Sequence, residues 1–128
     1  MEYRISVQAS GSIVCPPDWG MSVGGCDFHR LYLKRGGKAF CRLPDREFPL
    51  EDDTLYLFPV FAPYQLRHDP DQPLDVLWFH ISSLPVLTRD LLAIPLRGEP
   101  ALRAGCDFVS NLVGYTWQGR DGSPDRLL

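Results

Sequence analysis

Twelve prolines and eleven glycines cut this 128-residue chain into short runs of β-branched, aromatic and leucine residues. Runs of that length between turn-forming residues specify strands rather than helices. Thr54-Leu55-Tyr56-Leu57-Phe58, ended by Pro59, is the clearest. Tyr64 to His68 is another, closed by the breaker-rich Asp69-Pro70-Asp71-Gln72-Pro73. Leu74 to Ser82 reads as a long strand. One of its faces carries Leu74, Val76, Trp78 and His80, and the other Asp75, Leu77, Phe79 and Ile81. Both faces are apolar enough to predict cover on both sides. Leu31 to Lys34 and Ala39 to Leu43 flank Gly36-Gly37, which predicts a hairpin with a two-residue turn. Arg46 to Leu50 is extended, with Pro49 expected on an edge. Glu51-Asp52-Asp53 is a polar turn, and Leu91 to Leu96 is one further short strand.

The character changes after Arg97. Leu102, Cys106, Val109 and Val113 recur at helical spacing, which predicts one amphipathic helix within residues 101–117. The expected organisation is a single domain. Residues 1–20 form an N-terminal arm or cap, 21–98 a β-barrel, and 99–128 a helix and linker. A helix whose apolar stripe begins shortly before the last residue points to a longer native protein.

Charge narrows the function classes. The net charge is −3 and the pI about 5.5, so no basic, phosphate-binding surface is expected on this chain. Cys15, Cys26, Cys41 and Cys106 are not spaced as C-x-x-C, which argues against a zinc knuckle or a thioredoxin-type motif. They read as small buried hydrophobes. Met1 to Gln8 holds no apolar signal core, and no run approaches the ~20 apolar residues of a membrane span. The expectation is a cytoplasmic protein that does not engage membranes.

The order GGKAF, REFPL, DTLYLFPVFAPYQLRHD, LDVLWFHI resembles the N-terminal sensory domain of AraC-type transcriptional regulators. The resemblance covers about residues 15–81, with a compatible helix after Arg97. It implies an all-β, cupin-like jelly-roll barrel followed by at least one C-terminal helix. It also implies a small-molecule effector inside the barrel and a homodimer. DNA would be contacted only through a C-terminal domain that this chain does not contain. The chain departs from metal-binding cupins. His29 is followed by Arg30 and Leu31, so H-x-H is missing, and Tyr64 stands after Pro63 where a further histidine would be. With three histidines in all, no metal and no cofactor are expected.

Five residues are candidates for ligand contact. Trp78 and His80 share a strand face, offering an indole for stacking and an imidazole for hydrogen bonding. Tyr64 brings a hydroxyl after the proline loop. Trp19 lies in the rigid C-P-P-D-W-G segment and is expected near the barrel mouth. Arg30 has a planar donor fork suited to a carboxylate or to sugar hydroxyls. A carbohydrate effector is expected from the aromatic content and the resemblance. No catalytic constellation emerges: G-x-S-x-G, a phosphate-cradling glycine loop and H-E-x-x-H are all missing. The expected function is therefore effector sensing and dimerisation without catalysis. The alternatives are a free-standing cupin enzyme acting on a sugar or small organic acid, and a purely structural dimerisation barrel filled by its own side chains.

Overall fold

The structure is a computed structural model describing residues 2–118. Residues 120–128, expected from the sequence to be a frayed end or linker, lie outside the described residues. Nine strands and one helix follow in order: β1 (Arg4–Val14), β2 (Gly20–Val23), β3 (His29–Gly36), β4 (Ala39–Leu43), β5 (Arg46–Pro49), β6 (Thr54–Leu57), β7 (Tyr64–His68), β8 (Asp75–Leu84), β9 (Leu92–Pro95) and α1 (Pro100–Gln118). They form two antiparallel sheets. One has the order β1-β8-β3-β6-β9 and the other β2-β7-β4-β5. The ladders among the described residues do not join the two sheets into a closed barrel.

Two apolar layers hold these elements together. The main core lies between the sheets and includes Tyr32, Phe58, Tyr64, Leu66, Leu74, Val76 and Trp78. A smaller layer, Leu33, Leu55, Leu77 and Leu96, lies on the other face of the first sheet, with Cys106 and Val109 of α1 packed on it. Strand β8 thus has one face in each layer, because successive side chains point to opposite sides of a strand. The helix is tied down at its start by an Arg103–Asp53 ion pair of 3.4 Å.

Two features of the chain path differ from the expectation. Gly36-Gly37 does not make a hairpin. Strand β3 pairs with β6 and β8, whereas β4 pairs with β5 and β7, so this turn carries the chain from one sheet to the other. Gly37 has φ 86°, and a Cβ there would overlap the Pro73 carbonyl. The glycine is needed for close approach as well as for the turn. The true hairpin is β4–β5, turning at Pro44-Asp45, with β5 at the sheet edge and Pro49 opposite Phe40. The second difference is at the N-terminus. Residues 4–14, expected within a capping arm, form an eleven-residue edge strand paired along β8.

Candidate functional site

Strand register brings several of the candidate residues into one layer between the sheets. On β3 and β8, Arg30 is directly opposite His80, and Tyr32 opposite Trp78. Both pairs face the second sheet, where Tyr64 begins β7 and points inward. Arg30 Nη1 donates to Tyr64 Oη at 2.9 Å and to Cys26 Sγ at 3.2 Å. The guanidinium also lies over the Phe28 ring, 4.8 Å from its centroid. His80 is packed between Phe28 and Trp78, with centroids 4.5 and 4.9 Å away. Phe58 stacks on Tyr64 at 4.8 Å and meets Tyr32 edge-on at 5.3 Å.

This layer is dense, and it is not uniformly satisfied. Trp78 and Tyr32 are both 0% exposed and Tyr64 is 2% exposed. Among the described residues, three buried polar atoms have no hydrogen-bond partner: Arg30 Nε, Tyr32 Oη and Trp78 Nε1. Such atoms are uncommon in folded proteins, and each costs about 1–3 kcal/mol when left unpaired. Two of the three are donors only, and the phenol can also donate.

The electrostatics keep the phenols protonated and the guanidinium charged. Burial pushes Tyr64 up to about 12, against a smaller opposing pull from Arg30. Burial also raises Tyr32, again opposed by Arg30. Around Arg30 burial disfavours the charge, but the neighbouring Tyr64, Tyr32 and Cys26 outweigh it, so its pKa is raised.

Arg30, Tyr64, Trp78 and His80 are therefore together, and Trp19 is not among them. Trp19 precedes β2, whose Gly20 pairs with Arg67, and its ring meets His68 edge-on at 5.4 Å. His68 is four residues along β7 from Tyr64, about 13 Å at strand rise. Trp19 packs at the other end of the sandwich.

Residues not singled out from sequence complete the layer: Cys26, Phe28 and Tyr32. Tyr32 is legible in principle, lying two residues beyond Arg30 on the same face. Phe28 and Cys26 precede β3 in a bend, where no periodicity marks their direction.

The other histidines are structural. The Leu87 amide donates to His29 Nε2 at 3.1 Å, so Nδ1 is the nitrogen that donates to the Phe58 carbonyl, at 2.8 Å. In the same way the Leu74 amide donates to His68 Nδ1 at 3.0 Å, while Nε2 donates to the Pro17 carbonyl at 3.1 Å. Each ring ties a loop to a strand. Among the described residues no three His, Cys, Asp or Glu side chains gather as metal ligands. Nor is any described helix long and apolar enough to cross a membrane. A cleft of about 330 Å3 opens beside Tyr64, walled by Ser22, Gly24, Arg42, Leu43 and Pro63 among others. A second, of about 770 Å3, lies at the start of α1. Its charged walls already use Asp52 in a contact with Lys34 and Asp53 in the pair with Arg103.

Compared with known proteins, the chain matches no family model and no curated protein.

Proposed function

We propose that this chain is a non-catalytic effector-binding module whose ligand enters between the two sheets at the Arg30–Tyr64–His80 end. The observation that carries the reading is the Arg30 guanidinium, set in this layer with its Nε buried. Its neighbours are a phenol, a thiol and an aromatic ring, and in the same layer Tyr32 Oη and Trp78 Nε1 also lack a hydrogen-bond partner among the described residues. A purely structural core gains nothing from such a group, since buried polar atoms without partners are destabilising. A binding site gains specificity from it, because a few fixed polar groups in an apolar wall orient a small molecule.

The finer architecture we propose is a cupin-like jelly roll, and the finer role the sensory and dimerising half of a cytoplasmic AraC-type regulator. Two antiparallel sheets followed by a helix accommodate that architecture. Regulation requires that the effector bind two arrangements of the protein unequally. Strand β1 is placed to differ between them. Ala9 lies opposite His80, and the register of β1 on β8 shifts between Val7 and Ala9.

A thermal-shift screen of the full chain against sugars and small organic acids tests the binding reading. A ligand at about 100 times its Kd stabilises by about 2.7 kcal/mol, a shift of several degrees. The regulator reading is tested by the natural coding sequence. A continuation carrying two helix-turn-helix units supports it, and a stop codon directly after Leu128 overturns it.

One observation favours a second reading, a structural dimerisation domain. Trp78 and Tyr32 are fully buried and fill the space between the sheets. A screen in which no small molecule raises the melting temperature would favour this alternative.

A further inference from the structure

We propose that the site between the sheets takes a carboxylate monoanion with an apolar body, held by the side-on edge of Arg30. This rests on the binding reading above and names the ligand's chemical class.

The argument begins with charge. Arg35 pairs with Asp75 at 2.7 Å, Arg67 with Glu47, and Arg103 with Asp53 at 3.4 Å, and all three arginines are at least a quarter exposed. Arg30 is set between the sheets, and its Nε is buried, yet no carboxylate of the described residues pairs with it. Arg30 is partly buried, and the buried Nε edge of a cation without a counter-charge is costly to leave unmatched. An anion entering this layer supplies the missing charge.

Hydrogen-bonding capacity points the same way. Nη1 is engaged by Tyr64 and Cys26, while Nε has no partner among the described residues. Nε and Nη2 form the edge whose two parallel N–H groups match the two oxygens of a carboxylate. The hydroxyls of Tyr32 and Tyr64 can add donors. The layer is rich in donors and poor in acceptors. A sugar brings as many hydroxyl donors as acceptors and leaves the guanidinium uncompensated. A phosphate dianion brings one charge more than a single guanidinium neutralises. The rings next to Arg30, Phe28 beneath its guanidinium and His80 against Phe28, are aromatic, so the ligand body that packs on them is proposed to be apolar.

The test is thermal melting of the full chain with sodium butyrate and sodium phenylacetate. Butyramide, phenylacetamide, glucose, arabinose and inorganic phosphate are run at matched concentration and ionic strength. The carboxylates should raise the melting temperature and their amides should not. Arg30→Met should abolish the response, and Arg30→Lys, which keeps the charge but loses the fork, should weaken binding roughly tenfold. Equal shifts from acid and amide would overturn the proposal. So would a carboxylate response that survives in Arg30→Met. The wild-type acid–amide comparison and Arg30→Lys decide the matter if Arg30→Met does not fold. A response to glucose or arabinose, or to phosphate, with none to the carboxylates overturns the anion class while leaving the binding reading standing. No response to any compound overturns both.

Discussion

Gly11 on β1 lies against the indole of Trp78 on β8: a Cβ at Gly11 would fall 2.6 Å from three atoms of the ring. The two residues are directly opposite in the ladder, and the missing side chain is the space the indole occupies. Trp78 is fully buried, so the ring cannot swing aside. Gly11→Ala should therefore destabilise the fold by about 1–3 kcal/mol, the usual cost of overpacking. Urea unfolding followed by Trp fluorescence measures it. Gly105 gives the opposite sign. It lies within α1, and a Cβ added there would have nothing within 4 Å, so Gly105→Ala should stabilise by about 0.5–1 kcal/mol through helix propensity.

Trp78 itself is a central packing residue whatever it binds. It sits in the main core with Tyr32, Val76 and Leu74. Trp78→Ala should cost about 3–5 kcal/mol, a large share of the stability of a domain this size. From the sequence, Trp78→Ala is expected to abolish effector binding and leave the barrel folded; the full burial of the indole adds to this a large expected loss of stability. Trp78→Phe is the milder probe: it deletes the Nε1 donor and keeps an aromatic ring. Chemical denaturation of the two variants side by side should show the alanine substitution as much the more damaging.

Alkaline pH should weaken the fold through its buried phenols. Tyr64 ionises at about 12 in the folded chain, against an ordinary value of 10.0, because burial opposes the phenolate. Between those values the unfolded chain has lost a proton that the folded chain keeps. Stability is then fully present below pH 10 and falls as the pH rises toward about 12. Tyr32 and Tyr56 are raised as well and act in the same direction. Urea midpoints taken from about pH 9 upward should drop across this window. In Tyr64→Phe the drop should be shallower, and the ultraviolet absorbance titration of the phenols should lose a late-ionising component.

What can be read in the sequence follows how local each feature is. The two apolar faces of Leu74 to Ser82 predict cover on both sides, and each lies in its own core layer. Period-two alternation is a local signal, and it yields β7 with the same ends. Strand β1 is not legible in this way, because an edge strand buries little. Ile5 and Val7 are more than half exposed, and the residues facing the core there are Ala9, Gly11 and Ile13, two of them small. Its place is set by hydrogen bonds to β8, a partner far along the chain. Gly36-Gly37 is legible as a turn, but which sheet the next strand joins depends on β5 and β7. The Arg30–Tyr64 contact spans 34 positions and exists only once the sheets face each other. Both residues are candidates for separate reasons, and their pairing is a product of topology.

The helix makes the last prediction. Leu33, Leu55 and Leu77 are buried on the face of the first sheet that turns away from the main core, and Cys106 and Val109 pack against that layer. Leu102, counted in the helical stripe from sequence, is instead 38% exposed. Leu102 therefore does not pack on the sheet, and α1 is held by Cys106 and Val109, by its contacts with β1 and by the Arg103–Asp53 pair near its start. That pair is solvent-accessible on both sides and is worth about 1 kcal/mol at most. A charge at the contact should therefore undock the helix. Val109→Asp places a carboxylate against the leucine layer, where burial without a partner is unfavourable. The helical circular-dichroism signal should fall, and protease should cut within residues 100–118 faster than in the wild type. The sandwich should persist, because its main core lies on the opposite face of β8. If Val109→Asp leaves both the helical signal and the cleavage rate unchanged, docking does not depend on this contact.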